Sequence, residues 1–353
     1  MSGKQEGLFL IMAVSSSARW FAAALLIVTV ALAASCRQDS KQELVVYCAH
    51  DSVYAQKVLD AFEVHSGIRV YVKFDSESTK SLGLTDRLKR EKDRPRCDVF
   101  WNNQLLGTAE LKAEGVLEPY KEGAGYRRIP DAYKDPDGYY AGFAARLRIY
   151  IINTEKVAPD VPIEQHLQNE DLARVAVAKP LYGTTLSHYT VLWDLWGGEK
   201  LQAFHHDWRR RGVIECRGNA TSMDLVAKGV CDIGWTDTDD YFVAKDRNDP
   251  VRMVPIKIDG DRAICIPNTV AIIKGTKNPV MARKLIDFLL SEEVELMLAA
   301  SPSRQIPLGP VDLSKLSGQV RQLRQWSASG VSLHRLDEAR RQCLGWLRKE
   351  YLK

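Results

Sequence analysis

A cluster of acidic side chains follows a short apolar strand late in the chain, between Cys231 and Tyr241. The cluster contains three carboxylates within four residues, those of Asp237, Asp239 and Asp240. Carboxylate oxygens bind hard cations and also attract amines. We therefore predict that this cluster binds a ligand. The alternative is that one of these aspartates caps the helix that follows, which is a frequent role of Asp.

A near copy of this strand occurs earlier in the chain. The segments Cys97–Asn103 and Cys231–Asp237 both begin Cys-Asp-(Val/Ile)-x-Trp, and both end in polar side chains at the same offset. In open α/β sheets, ligands bind at the carboxyl ends of the strands. The repeat therefore predicts two similar lobes whose strand ends face a shared cleft. A chance likeness between two buried strands is the alternative.

Two helix starts form a second candidate site. Gly183, Thr184 and Thr185 open one predicted helix, and Asn219 opens another at the same sheet edge. Backbone N–H groups at a helix start, together with hydroxyl groups and a glycine that permits close approach, suit an anion. Ordinary helix capping is the alternative for each segment.

Known catalytic motifs are absent from the sequence. The chain has no G-x-S-x-G, Walker lysine or H-E-x-x-H pattern. The Asp237-Thr-Asp239 pattern differs from aspartyl phosphotransferases, and from a calcium loop, at Tyr241. An exported metal-dependent enzyme that uses Asp237, Asp239 and Asp240 stays open as an alternative to a binding protein.

The N-terminal 36 residues predict export. Lys4 and Arg19 precede an apolar run, Trp20–Ala34, and small residues lead to Cys36. This order predicts a lipoprotein-type signal peptide over residues 1–36 with Cys36 as the lipidation site. An ordinary cleaved signal or a single anchor helix are the alternatives. All three place the remaining chain outside the cytoplasm, in the periplasm or at the cell surface.

Composition supports a soluble globular protein after the signal. The net charge is only +4 over 353 residues, which gives no reason to expect nucleic-acid binding. Six cysteines remain after Cys36, and export permits disulfides. Most of them lie in apolar runs, where buried thiols are expected. The pairing cannot be chosen from the sequence.

Strand and helix patterns alternate through two successive parts of the chain. This order predicts an α/β fold in which each lobe is a mostly parallel sheet flanked by helices. The predicted crossings between the lobes lie near residues 145–152 and 257–268. Lobe one is then discontinuous, comprising residues 37–150 and 265–353, and lobe two comprises residues 151–264.

Five features together resemble the type 2 extracellular solute-binding proteins that serve ABC importers. They are the export signal and the segments Asp98–Asn103, Gly142–Arg148, Trp235–Asp240 and Pro267–Gly275. The resemblance covers roughly residues 44–310 and is strongest to the ferric-iron-binding branch. It implies a two-lobed periplasmic-binding-protein fold with the ligand cleft between the lobes.

The resemblance also implies a set of site residues. Iron binders of this branch hold the metal with two adjacent tyrosines; Asp239 and Asp240 take that place here, with Tyr241 next. These three are the predicted metal ligands. The remaining predicted ligand-binding residues follow strand ends or open helices: His50, Asp51, Ser52, Asn102, Asn103, Gly183, Thr184, Thr185, Asn219 and Asp237. The departures leave ferric iron, another hard cation, a metal–anion complex or an amine open as the ligand.

The sequence therefore predicts a monomeric, lipid-anchored solute-binding protein. It would capture a hard cation, alone or with an anion, and deliver it to an ABC permease. No cofactor is predicted other than a transported ion. A ligand-sensing binding protein is a further alternative.

Overall fold

The computed structural model describes residues 42–75, 81–258, 260–333 and 336–352 of the chain. The predicted signal peptide and its Cys36 lie outside these residues. Within them, none of the helices combines the length and the apolar character needed to cross a bilayer. The chain from Glu43 onward forms a single compact unit.

Strands and helices alternate along this unit. The strands are β1 (Glu43–Cys48), β2 (Arg69–Phe74), β3 (Val99–Asn102), β4 (Leu117–Glu118), β5 (Ala141–Asn153), β6 (Val175–Ala178), β7 (Ile214–Cys216), β8 (Ile233–Asp237), β9 (Val251–Pro255), β10 (Lys257–Ile258), β11 (Arg262–Ala263) and β12 (Cys265–Ile273). The α-helices are α1 (Ser52–Ser66), α2 (Leu82–Arg90), α3 (Leu106–Ala113), α4 (Ala124–Arg128), α5 (Ile163–Leu167), α6 (Gly183–Trp196), α7 (Gly198–Arg210), α8 (Asn219–Ala227), α9 (Thr238–Asp246), α10 (Pro279–Leu289), α11 (Glu292–Ala300), α12 (Gly318–Ser327) and α13 (Asp337–Tyr351).

Two blocks of three parallel strands form the centres of two lobes. In lobe one the order is β2-β1-β3, followed by β12 and β5. In lobe two the order is β5-β8-β6-β7, with β6 parallel to both of its neighbours. The sheet is mixed because β12 and β5 run antiparallel to the strands beside them. The predicted parallel character therefore holds within each block.

Strand β5 is shared by the two lobes. Its first half, residues 141–147, pairs with β12 of lobe one, and its second half, residues 148–153, pairs with β8 and β9 of lobe two. Leu147 pairs with Cys265, whereas the next residue, Arg148, pairs with Asp237. The change of partner therefore lies between two consecutive residues and connects the lobes directly.

Helices cover both faces of the sheet in lobe one. Val99 and Trp101 of β3 pack in one apolar cluster with residues of α1 and α10. The intervening residue, Phe100, packs in a second cluster with residues of α2 and α3. All three side chains are fully buried. Successive side chains of a strand point to opposite faces, so both faces of β3 must be apolar and covered.

The cysteines of the described residues are buried thiols, and none of them joins another in a disulfide. Cys97 and Cys231 each lie two residues before the start of a central strand, and Cys265 lies in β12. Burial raises the pKa of the Cys216 and Cys231 thiols to about 11. A neutral, buried thiol packs as a small apolar side chain, which agrees with the expectation from the apolar runs.

The last helix, α13, contacts both lobes. On the lobe-one side, Arg340 is buried and donates to Glu110 of α3 at 2.5 Å. On the lobe-two side, Arg209 of α7 donates to Glu350 at 2.8 Å. Trp346 packs against His205 of α7 with ring centroids 5.2 Å apart. The helix is therefore bound to α3 and α7 through separate sets of side chains.

Candidate functional site

Strand β8 and helix α9 position the acidic cluster. The strand ends at Asp237, and the helix begins at the next residue. Asp237 occupies the N-cap position, but its carboxylate accepts no hydrogen bond from the helix backbone. The cap role considered from the sequence is therefore not what holds this carboxylate in place.

Asp237 is instead paired with two buried arginines of β5. Arg148 Nη1 lies 2.7 Å from one carboxylate oxygen, and Arg146 Nε lies 3.4 Å from the other. Both arginines are almost entirely excluded from solvent. Burial alone would raise the pKa of Asp237, but the positive charges of Arg148 and Arg146 outweigh it and hold the pKa below its ordinary value.

The side chains at the two predicted helix starts also turn toward Asp237. Thr184 Oγ1 donates to its carboxylate at 2.6 Å, and Asn219 Nδ2 donates to the same oxygen at 3.0 Å. Thr185 Oγ1 in turn donates to Asn219 at 3.1 Å. The side chains of Thr184 and Asn219 are thus occupied by the Asp237 carboxylate, and that of Thr185 by Asn219. The groups that the two helix starts can offer to a ligand are therefore their backbone N–H groups.

Asp239 and Asp240 lie beside this ion pair. One oxygen from each of Asp237, Asp239 and Asp240 can be chosen so that all three lie within 4.8 Å of one another. Thr236 Oγ1 donates to Asp240 at 2.5 Å. Burial, followed by the negative charges of Asp239 and Asp237, raises the pKa of Asp240 well above its ordinary value. A cation bound here would relieve this repulsion.

A cavity of about 50 Å³ opens over these groups, and we call it the ionic cavity. The carboxylates of Asp51, Asp237, Asp239 and Asp240 are among its lining groups. Arg146, Lys179 and Arg217 supply the cationic side chains among its lining residues. The cavity therefore carries both signs of charge, contributed by both lobes.

Two helices begin at the ionic cavity. Gly183 opens α6 and Asn219 opens α8, and both residues line the cavity. Gly183 has a positive φ of 54°, and no atom lies within 4 Å of where a side chain would start. The first-turn N–H groups of a helix have no partner within the helix, and they favour an anion. Both helix starts of the predicted anion site therefore line the same cavity, and their role in binding an anion stays a prediction.

The predicted residues of lobe one divide into two groups. Asp51 and Asn103 line the ionic cavity, and Asn103 also accepts a hydrogen bond from Arg146 Nη2 at 2.6 Å through its backbone carbonyl. Ser52 lies in an adjoining chamber that shares Asp51. The structure therefore brings these three residues together with the acidic cluster.

Three predicted ligand residues lie away from the ionic cavity. His50 is buried, stacks on Trp101 at 5.5 Å and hydrogen-bonds to Gln305 at 3.0 Å. Asn102 is buried and donates to Thr108 at 3.1 Å. Tyr241 is half-buried and packs against its neighbour in α9 rather than lining the cavity. Their predicted role in ligand binding stays untested.

The cationic residues that line the cavity are not among the site residues predicted from the sequence. Lys179 directly follows β6, and Arg217 directly follows β7. Both are therefore strand-end residues of the kind that identified the acidic cluster. Arg146 and Arg148 are alternate residues of an otherwise apolar strand, and such a pair on one face of a buried strand indicates an acidic partner. Arg146 Nη1 is buried and makes no hydrogen bond.

A two-lobed α/β fold with a small ionic cavity at the strand ends, lined by residues of both lobes, defines the class of solute-binding proteins that enclose a ligand between lobes. Comparison of the chain with known protein families supports this assignment. The chain belongs to the family described as bacterial extracellular solute-binding protein, whose model matches residues 44–301.

Curated relatives of the chain include iron-binding proteins. The "Iron uptake protein A1" of Synechocystis sp. is 24% identical over 321 residues, which cover 85% of this chain and 84% of that protein. The "Major ferric iron-binding protein" of Neisseria meningitidis is 26% identical over 282 residues, which cover 76% of this chain and 81% of that protein.

Solved structures share the fold. Iron-bound HitA from Pseudomonas aeruginosa superposes with a TM-score of 0.75 at 18% identity, covering 87% of this chain and 98% of that one. AfuA from Actinobacillus pleuropneumoniae, with fructose-6-phosphate bound, superposes with a TM-score of 0.73 at 18% identity, covering 88% of this chain and 99% of that one.

These findings confirm several predictions. The fold is the predicted two-lobed periplasmic-binding-protein fold. The chain is an extracytoplasmic solute-binding protein of the kind that delivers its ligand to an ABC importer. The family is one of binding proteins, so the alternative of a metal-dependent enzyme is not supported.

Proposed function

We propose that this protein captures a hard cation together with an anion in the ionic cavity and delivers both to the permease of an ABC importer. The observation that carries the proposal is that side chains of both charges line one small cavity. Asp51, Asp239 and Asp240 form the acidic part of its lining, and Lys179 and Arg217 add cationic side chains near the two helix starts.

The pairing of Asp237 divides the acidic cluster by role. Two arginines and two neutral donors already bind its carboxylate. We therefore propose Asp239 and Asp240, together with Asp51, as the cation ligands. Asp237, with Asp239 at 3.7 Å, holds Arg146 beside the cavity. Arg146 contributes to anion binding through its Nη1 group, which makes no hydrogen bond. A bound cation–anion pair would neutralise the carboxylates and the cationic side chains of the cavity at the same time.

Ferric iron is the cation that we propose first. The relatives support it, since several are named as iron-uptake or ferric-iron-binding proteins. Carboxylate oxygens are hard donors and suit hard cations. Phosphate is the simplest anion that would fit two helix starts and a lysine.

Elemental analysis and native mass spectrometry of protein purified without chelator will test this proposal. We expect a bound metal and a mass increment for the anion. Titration with ferric iron should show tighter binding with phosphate present than without it. Protein that carries neither metal nor anion, and that binds ferric iron under neither condition, would contradict the proposal.

A matched pair of variants tests the residue assignment. Asp240→Asn keeps the shape of the side chain and removes a ligand charge, so it should weaken cation binding by about 10- to 100-fold. Asp246→Asn changes the same residue type in the same helix, at an exposed site paired with Arg304. It should leave affinity unchanged. Equal effects of the two substitutions would remove Asp240 from the site.

We also propose that the protein is a monomer anchored to the membrane by a lipid on Cys36. The support is the order of basic, apolar and small residues before this cysteine. Cys36→Ser should release the mature protein from the membrane fraction of the cells. A variant that stays membrane-bound and is processed as before would contradict the anchor.

Import rather than sensing is the proposed consequence of capture. Deletion of the gene should abolish uptake of radiolabelled iron at low concentration. Unchanged uptake together with loss of an iron-dependent transcriptional response would favour the sensing alternative.

A further inference from the structure

A second chamber adjoins the ionic cavity, and we call it the side chamber. The two spaces share the carboxylates of Asp51, Asp239 and Asp240, so the acidic residues stand between them. The side chamber has a volume of about 300 Å³. This is far more than a metal ion needs, and it lies at the lower end of the roughly 300–1,000 Å³ range of small-molecule pockets.

The walls of the side chamber differ chemically from those of the ionic cavity. No lysine or arginine is among the described residues that line it. Apart from Ser52 and the shared carboxylates, its lining consists of apolar or aromatic side chains: Val53, Tyr54, Ala220, Met223 and Val243. An anionic group here would meet carboxylates and no cation, so the chamber suits an uncharged, largely apolar body.

Both lobes contribute to these apolar walls. Val53 and Tyr54 come from the first turn of α1, and Met223 and Val243 come from α8 and α9. Val53, in the first turn of α1, is 61% exposed. Together with Tyr54, Met223 and Val243, Val53 gives the side chamber an apolar wall against which an apolar part of a ligand can pack.

Tyr54 brings an aromatic ring close to the shared carboxylates. Burial, followed by the negative charges of Asp239 and Asp51, raises the pKa of Tyr54 to about 12. Its side chain therefore remains a neutral phenol at physiological pH. The chamber thus presents a neutral aromatic wall next to the proposed cation ligands.

We infer that the cation reaches this site bound to an organic chelator with a compact apolar body, such as a catechol. The oxygen atoms of the chelator would bind the cation beside Asp239 and Asp240, and its carbon ring would lie in the side chamber. This inference rests on the proposed function and specifies the class of the captured solute. It also predicts that a chelator whose body carries further carboxylates, such as citrate, fits this chamber poorly.

Three forms of ferric iron test this inference by calorimetric titration of the full mature chain. Iron is supplied with phosphate alone, with phosphate and catechol, or with phosphate and citrate. Wild-type protein should bind the catechol form about tenfold more tightly than the phosphate form, because a ring is removed from water. Citrate should give no such gain.

A filled chamber gives the decisive comparison. Ala220→Leu adds a larger side chain at a residue that lines the side chamber and not the ionic cavity. It should abolish the tenfold gain from catechol and change the phosphate form by less than about twofold. Thr221→Leu is the control, because Thr221 is the next residue of α8, is also exposed and does not line the chamber. It should leave both affinities unchanged.

The outcomes separate this inference from the proposed function. Iron binding with phosphate but without a gain from catechol overturns the side-chamber assignment and leaves the proposed function standing. The side-chamber assignment is also overturned if Ala220→Leu weakens the affinity for the phosphate form and the affinity for the catechol form equally. Failure of all iron forms to bind contradicts the proposed function and, with it, the chelator. In that case, binding of choline that Ala220→Leu weakens would make the solute an organic cation.

Discussion

The strand ends of β3 and β8 have similar sequences but different chemistry. In each, a buried tryptophan is covered by a histidine. His50 stacks on Trp101 at 5.5 Å, and His188 stacks on Trp235 at 4.3 Å. The residues that follow diverge, because β3 continues into asparagines and β8 continues into Asp237.

The aspartates at the start of the two motifs have similar structural roles. Asp98 accepts a hydrogen bond from the backbone of Val45 at 2.7 Å, which ties β3 to the neighbouring strand β1. Asp232 pairs with Arg174 at 2.7 Å, next to strand β6. The shared residues therefore position the strands, and the difference in function begins after the tryptophan.

The largest expected effect tests the charge at the end of β8. Asp237→Ala leaves Arg148, which is fully buried, without its partner at 2.7 Å. The free energy of unfolding in urea should fall by about 3–5 kcal/mol. Asn103→Ala changes the corresponding position of lobe one, where only the backbone carbonyl binds Arg146. It should cost about 1 kcal/mol or less. Equal losses of unfolding free energy in the two variants would mean that the two strand ends contribute equally to stability.

The second test concerns the residue before each tryptophan. Phe100 fills a core position in β3, whereas Gly234 stands at this position in β8. A Cβ at Gly234 would lie 2.6 Å from Ser222 Oγ and 3.0 Å from Val226. Gly234→Ala should therefore destabilise the protein by about 1–3 kcal/mol, measured by urea unfolding.

Removal of the closest obstacle supplies the control for that substitution. Adding Ser222→Ala to Gly234→Ala removes the oxygen at 2.6 Å, so the double variant should recover part of the loss. Strictly additive losses would show that close packing of α8 on β8 is not the reason for this glycine.

The third test changes the acidic end toward the amide chemistry of lobe one. The raised pKa of Asp240 means that its ionisation opposes folding when no ligand is bound. The stability contributed by protonated Asp240 is therefore complete below the pKa that this residue has in the unfolded chain. It is lost as the pH rises through the pKa of Asp240 in the folded protein. Asp240→Asn should raise the free energy of unfolding of ligand-free protein at pH 7 by an amount on the order of 1 kcal/mol, which appears as a higher melting temperature. The gain should shrink toward pH 4. A lower melting temperature at pH 7 would contradict the repulsion.

The smallest expected effect concerns His50. Its ring is held between Trp101 and Gln305, away from the ionic cavity, so His50→Gln should change ferric-iron affinity by less than about threefold. Asp51→Asn changes the next residue, which lines the cavity, and should weaken affinity about tenfold. Binding is measured by titration with phosphate present. A large loss in His50→Gln would restore the ligand role that the resemblance implied.

The sequence allowed the polar strand ends and helix starts to be predicted because these depend on position along the chain. Asp51, Asn103, Gly183 and Asp239 were found in this way, and all four line the ionic cavity. Lys179 and Arg217 follow strands in the same manner. They were missed because lysine and arginine after a strand are ordinary at a protein surface.

Orientation and pairing could not be read from the sequence. Arg148 lies opposite Asp237 only because of the register between β5 and β8, which sequence spacing does not specify. The same limit applies to Tyr241. It follows Asp240 directly, yet the turn of α9 directs it toward Phe242 rather than the cavity.

Helix α13 has a consequence for the kinetics of ligand exchange. Because Arg340 is bonded to Glu110 on α3 and Glu350 to Arg209 on α7, α3 and α7 cannot move far apart without breaking one set of contacts. A hinged opening of the cleft must therefore detach one end of this helix or bend around it. If the lobes open by a hinge, the C-terminal helix contributes to the barrier that a solute crosses when it enters or leaves, although no residue of α13 lines the ionic cavity.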